Sequence, residues 1–301
     1  MTLTTASARG HATLAGIGLM VTGISLFALN DALGKWLVAT YPVAELLMVR
    51  SAAALILLAP FIWRAGIAPF VSAPRPRLQF ARVALSSVEV AMFFLAVAYL
   101  PLADVMTFYL AGPIYVTALS ALLLHERVGW RRWTAVLVGF CGVLIALRPS
   151  PATLTMPALI ALGGSFFFSF LMVITRSLRN TDNVVLTSGQ IVGTLVFGAM
   201  VAPFGWVTPS AADLALLSLF GVVSIVALAC VNRALKLAPA SVVAPFQYTM
   251  IVWGIALGYL VFGDVPDLPT LAGAAIIIGA GLFIFWREQR ARGEVTVIEP
   301  P

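Results

Sequence analysis

Apolar residues run down this chain in unbroken stretches of about 20, the length a helix needs to cross the hydrocarbon core of a bilayer. Ten stretches fit: 14–37, 45–63, 80–100, 105–124, 131–148, 157–177, 184–204, 214–234, 241–262 and 269–287. The breaks between them have turn and helix-stop compositions, as in Ala73-Pro74-Arg75-Pro76, Arg148-Pro149-Ser150-Pro151, Arg179-Asn180-Thr181-Asp182 and Asp264-Val265-Pro266-Asp267. The runs are continuous rather than alternating, which excludes a membrane β-barrel. No loop is long enough for a soluble domain. The tightest connection, Leu100-Pro101-Leu102-Ala103-Asp104, must reverse the chain in about four residues. The pattern predicts an all-α polytopic membrane protein of ten transmembrane helices.

Composition narrows the class further. Of 301 residues, 61% are hydrophobic and 10% charged, with mean hydropathy +1.03. An ordinary soluble domain carries about 25% charged residues, so this chain has too few to cover a water-facing surface. The net charge of +6 and pI near 9.8 would suggest nucleic acid in a soluble protein, but the placement of the basic residues gives another explanation. With a cytoplasmic N-terminus, 15 of the 18 Lys and Arg fall on the inner side, from Arg9 and the group Arg64, Arg75, Arg77 and Arg82 to Arg287, Arg290 and Arg292. Lys35 and Arg148 fall outside, and Arg50 lies within the second span. Retention of positive charge on the cytoplasmic side therefore puts both termini in the cytoplasm. The first apolar stretch is too long for a cleavable signal and reads as a retained helix. Cys141 and Cys230, inside apolar runs, imply neither disulfide nor metal, and His11 and His125 join no cluster.

The chain also repeats. An offset of 138 residues puts Pro101 on Pro239, Val105 on Val243, Phe108 on Phe246 and Glu126 on Asp264; an offset of 140 puts Gly23, Ser25 and Phe27 on Gly163, Ser165 and Phe167. The units are residues 1–150 and 151–301, five spans each. An odd number of spans inverts the second copy relative to the first. Inverted repeats meeting around a midplane site are the architecture of secondary transporters. With acids closing the fourth and ninth spans (Leu124-His125-Glu126-Arg127, Phe262-Gly263-Asp264) and glycine-rich fifth and tenth spans (Gly139-Phe140-Cys141-Gly142, Gly279-Ala280-Gly281), the sequence resembles the drug/metabolite transporter superfamily. Within it the likeness is to the EamA family and its YddG-like amino-acid exporters, over about residues 14 to 290. That resemblance implies export of aromatic and other neutral amino acids across a bacterial inner membrane, by alternating access around a central cavity.

Polar residues inside apolar spans carry the functional reading, because a charge at a helix centre costs about 2.5–3.5 kcal/mol on insertion scales and normally faces a wet or protein interior. Glu89, mid-span, is a cavity carboxylate for a substrate ammonium or a coupling proton; a structural, hydrogen-bonded carboxyl is the plainer alternative. Asp31 and Lys35 share a helix face. With Arg50 they form a candidate ion network at the outer end, against the alternative of snorkelling and local pairing. Phe108 and Tyr109 make a candidate outer gate and their offset partners Phe246 and Gln247, with Tyr248, an inner one; interfacial belt aromatics are the rival explanation. Pro113 and Pro245 free backbone groups in those spans. Tyr115 and Trp253 align under the offset and fall deeper, as cavity wall. Asn30, Ser165, Ser169, Gln190 and Asn232 hydrogen-bond either cargo or neighbouring helices. One of Phe166, Phe167 and Phe168 faces a pocket for an aromatic cargo. Ala135/Gly139 and Ala275/Gly279 allow close packing within a monomer.

No Gly-x4-Gly-Lys-Ser/Thr loop for ATP occurs, and no Gly-x-Ser-x-Gly or His-Glu-x-x-His. No cofactor is expected. The partners are small amphipathic solutes and membrane lipids, with neither nucleic acid nor ATP. Rival readings are a drug or metabolite exporter of the same superfamily, a lipid-modifying enzyme using Glu89 or Asp31, and a scaffold without a polar cavity.

Overall fold

Proline sets several of the helix boundaries. Pro42 precedes α2 (Val43–Ala65), Pro76 opens α3 (Pro76–Tyr99), and Pro101 forces Leu100 into extended backbone (φ −119°, ψ 154°) before α4 (Leu102–Tyr109) begins. The connection whose shortness looked hardest from sequence is thus only two residues, Leu100 and Pro101. The computed structural model describes residues 2–125, 128–147 and 155–263, with parts of 268–283. Glu126, Asp264, Arg148, Gly281 and the end of the tenth predicted span lie outside the described residues.

Every described regular element is helical. Before α2 comes α1 (Thr2–Val38), and after α4 come α5 (Gly112–Leu123), α6 (Trp130–Leu147), α7 (Met156–Ser177), α8 (Asn183–Val201) and α9 (Ala211–Leu237). Asp182 caps α8 by accepting from Val184 N at 2.7 Å, and Ser210 caps α9 by accepting from Asp213 N at 3.1 Å. Among the described residues, six helices are long and apolar enough to cross a membrane: Ala12–Val38, Val43–Ala65, Pro76–Tyr99, Met156–Ser177, Asn183–Phe204 and Ala211–Leu237. Their outer faces carry large apolar side chains, with Trp63 86% and Phe204 90% exposed. Such a surface belongs in lipid rather than water.

The fourth and ninth predicted spans are not continuous helices. Residues 105–124 divide between α4 and α5, with a break at Leu110 and Ala111 and Pro113 in the first turn of α5. Residues 241–262 form a turn of helix (Ala240–Val243), a 3-10 turn (Ala244–Tyr248), α10 (Thr249–Leu257) and a π turn (Gly258–Phe262). Proline removes a donor and crowds the preceding carbonyl, so both interruptions fall where the sequence has one. Around these elements α1 packs along α9, α3 along α7 and α2 along α8, with α9 also against α2 and α3 against α8.

Candidate functional site

A cavity of about 110 Å³ is ringed by α1, α2, α3, α4, α7, α8, α9, the 3-10 turn and the start of α10. One water needs about 10–15 Å³, so the space admits several waters or a small solute of comparable size. Four charged residues line it: Asp31, Arg50, Arg82 and Glu89.

Asp31 and Glu89 are 7% and 8% exposed. Glu89 Oε accepts from the Tyr109 hydroxyl at 3.1 Å, which ties α3 to the last residue of α4 at the break. Asp31 lies within Coulombic reach of Glu89 and Arg50. The Arg50 guanidinium sits over two rings, 5.6 Å from the centre of Phe94 and 4.9 Å from that of Phe220. This cation-π arrangement holds it beside the two carboxylates without a direct ion pair taking up its donors. Its backbone is equally fixed: a Cβ at Gly221 of α9 would collide with the Arg50 carbonyl, so only glycine lets the helices approach there.

Arg82 stands seven residues from Glu89, on the same face of α3, two turns or about 10 Å along the axis. It is not the cytoplasmic loop charge that the basic-residue pattern suggests. The side chain is 1% exposed. Nε donates to Thr175 Oγ at 2.8 Å and Nη1 to the Leu186 carbonyl at 2.8 Å. Nη2 donates to Gln190 Oε and Asn232 Oδ, both at 3.0 Å. All four acceptors are neutral. Burying an ion costs several kcal/mol even after relaxation, and here hydrogen bonds alone offset it. Sequence reasoning missed Arg82 because a basic residue near the start of an apolar span reads as a snorkelling anchor. The signal available was the seven-residue spacing from Glu89.

The remaining candidates divide into two groups. Asn30, Asn232 and Gln247 line the cavity with Tyr109. Asn30 Oδ1 and Gln247 Oε1 are buried with no hydrogen-bond partner among the described residues. Gln247 also touches the other interrupted span, since a Cβ at Gly112 would stand 2.9 Å from its Oε1.

The second group is held elsewhere. Lys35 Nζ donates to the carbonyls of Leu100 (2.8 Å) and Val97 (3.3 Å), capping α3. Tyr115 packs edge-on against Phe166 at 5.5 Å, and Trp253 Nε1 donates to Ser25 Oγ at 2.8 Å. Tyr248 packs on Gly139, its hydroxyl donating to the Val136 carbonyl at 3.3 Å. Ser169 Oγ donates to the carbonyls of Gly112 and Ser165, and Ser165 Oγ is buried without a hydrogen-bond partner among the described residues. Phe108 and Phe246 pack in the main apolar core. Of the three consecutive phenylalanines, Phe168 is the one on the cavity wall. Thr175 and Gln190 join the lining through their bonds to Arg82.

A helical bundle with an apolar outer surface around a charged cavity is the architecture of many membrane transporters. The model of the EamA-like transporter family matches residues 14–148 and again 155–286, so the chain belongs to that family, within the drug/metabolite transporter superfamily. It is 28% identical over 285 residues to an S-adenosylmethionine uptake transporter of Rickettsia felis, covering 92% of this chain and 95% of that one. Identity is also 28% over 293 residues to a riboflavin transporter of Vibrio cholerae, covering 94% and 97%. A pseudopaline exporter of Pseudomonas aeruginosa is 29% identical over 272 residues, covering 88% and 94%. A solved crystal structure shares the fold with TM-score 0.74 at 16% identity, over 94% of this chain and 99% of the other. These relatives are named as transporters, so the lipid-modifying enzyme is set aside.

Proposed function

We propose that this protein is a secondary transporter of small zwitterionic solutes of the amino-acid type. It acts as two inverted five-helix units, residues 1–150 and 151–301, that rock about the central cavity of a bacterial inner membrane with both termini in the cytoplasm. The observation that carries this reading is the pair of buried carboxylates, Asp31 and Glu89, beside a cavity also walled by Phe93, Phe94 and Phe168. A cargo ammonium pairs with Glu89 or Asp31 and donates to the amide oxygens of Asn30 and Gln247, which have no partner among the described residues. Its apolar part lies on the rings, as is usual where a few polar groups orient a solute in an apolar site.

Tyr109 and Gln247, one at each helix interruption, move with the two units and close the cavity from opposite ends. Discontinuous helices are the common means of bringing such groups to a transporter midplane. Relatives named for uptake and for export match this chain at similar identity, 28% and 29%. Direction is accordingly assigned to the gradient, with export of aromatic and neutral amino acids as the physiological case. S-adenosylmethionine, itself an amino acid bearing an aromatic base, fits the same chemistry and is the second cargo to test.

The test is transport by purified protein in liposomes, with labelled phenylalanine, threonine, S-adenosylmethionine, riboflavin and a quaternary-ammonium drug, with and without an imposed pH gradient. Transport of the amino acids is the expected result. Transport of the drug or riboflavin alone would overturn the cargo class while keeping the family, and no transport of any probe would overturn the transport reading itself.

A further inference from the structure

The cavity has a cationic end that the ammonium site does not use. Arg82 presents a guanidinium to it from the second turn of α3, 1% exposed, and its four hydrogen bonds go to Thr175, Leu186, Gln190 and Asn232. A structural arginine inside a membrane protein normally pairs with an acid, is met by backbone carbonyls or reaches the interface. Arg82 has one backbone carbonyl, that of Leu186, and three side-chain acceptors; no carboxylate among the described residues hydrogen-bonds it, and its head is under the protein surface. Two of its acceptors, Gln190 Oε and Asn232 Oδ, share one nitrogen at 3.0 Å and are side-chain amides that also line the cavity. A rotation of either amide frees a donor without moving backbone.

From this we infer that Arg82 is the binding residue for a carboxylate of the cargo, and so determines which solutes are carried. The inference rests on the proposed transport of zwitterions and names the second half of their recognition. A carboxylate oxygen takes the place of an amide oxygen on Nη2 and turns a neutral hydrogen bond into a charge-assisted one. One guanidinium matches one monoanion. Glu89 stands two turns away on the same face of α3, and the cargo's positive group, carried on the carbon next to its carboxylate, turns toward that end of the cavity. The cavity is thus polarised along α3, and a zwitterion enters it in one orientation.

The assignment is tested with three probes of one shape: phenylalanine, phenethylamine, which lacks the carboxylate, and 3-phenylpropanoate, which lacks the ammonium. Binding to the purified full chain is read by thermal shift, and transport by counterflow in liposomes. Wild-type protein should prefer phenylalanine to phenethylamine. Arg82→Gln should weaken the two carboxylate probes about 10- to 100-fold, the loss of one charge-assisted hydrogen bond, and leave phenethylamine within about twofold.

Asn232→Asp supplies a second measurement that does not require Arg82 to be removed. It places a permanent carboxylate on the guanidinium, which should retain the fold and displace the carboxylate probes by a similar factor. The inference is overturned if wild-type protein does not discriminate phenylalanine from phenethylamine. It is also overturned if Asn232→Asp binds 3-phenylpropanoate as well as wild type does, or if inorganic phosphate competes as effectively as that probe. These outcomes differ from failure of the transport reading, in which none of the probes, riboflavin or the drug moves at all.

Discussion

In residues 14–148 the chain leaves α3 through Leu100-Pro101, and in residues 155–286 it leaves α9 through Ala238-Pro239, with extended backbone at Leu100 and at Ala238. In the first half Lys35 donates to the Val97 carbonyl. In the second Arg176 donates to that of Leu235, the position reached from Val97 by the 138-residue offset. Both halves then interrupt the next span near a proline. At the cavity the likeness stops. All four charged lining residues, Asp31, Arg50, Arg82 and Glu89, come from the first half, and the second contributes only neutral groups. The 140-residue offset carries Asp31 onto Leu171 and the 138-residue offset carries Phe94 onto Asn232, four residues that all line the cavity.

The two stretches that the family model matches thus agree at the ends of α3 and α9 and differ in the charge they bring to the cavity. There is a physical reason for charging only one half. Each buried ion is expensive, and an ion pair between halves would resist their separation. Arg82 crosses to the second half through neutral acceptors on α7, α8 and α9. Such bonds contribute about 0.5–1.5 kcal/mol each in neutral form and about 1.5–3 kcal/mol to a charged group. On the proposed rocking of the halves, they exchange for cargo or water.

The strongest way to break this asymmetry is to charge the second half. Leu171→Asp should lower stability by about 2.5–3.5 kcal/mol, seen as a fall in melting temperature by fluorescence-detected size exclusion. Combining it with Asp31→Leu should restore the number of charges without restoring transport. If the double variant transports normally, the position of the charge is immaterial.

Packing that fixes Arg50 comes next. Gly221→Val should cost about 1–3 kcal/mol by overpacking against the Arg50 carbonyl and should reduce transport beyond what its stability loss explains. Removing the acid at the other end of the polarised face, Glu89→Gln should lower amino-acid transport at least tenfold and abolish any response to an imposed pH gradient. Normal transport by this variant at every pH would exclude Glu89 from both binding and coupling. Tyr109→Phe, which deletes the 3.1 Å bond to Glu89, should lower transport up to about tenfold. The smallest effect is expected at Tyr115→Leu, whose ring packs on Phe166 away from the cavity. Its transport should stay within about twofold of wild type, and a large loss would return Tyr115 to the cavity wall.

Much of the site was legible one residue at a time. Glu89 and Asp31 stand out because carboxyls are rare in apolar spans, and Asn30, Asn232 and Gln247 because amides there need partners. Lys35 was legible as a polar residue but not in its partner: the four-residue spacing from Asp31 suggests a pair on one helix, whereas its ammonium reaches the end of α3. Tyr248 and Trp253 carry the same ambiguity. Each sits at a plausible depth, and each turns its polar atom to a neighbouring helix rather than to the cavity.

The sequence by itself determined that the chain carries membrane-spanning helices, where most of them run, and that a few acids inside apolar spans need an explanation. These are properties of hydrophobicity and spacing, which act locally along the chain. Only the tertiary structure decided that Arg82 is buried rather than snorkelled, that its partners are a threonine, a carbonyl and two amides from the other half, and that Arg50 lies between Phe94 and Phe220. A guanidinium on a flexible stem reaches water or protein according to what stands beside it, and its neighbours here are about 90 to 150 residues away in the chain.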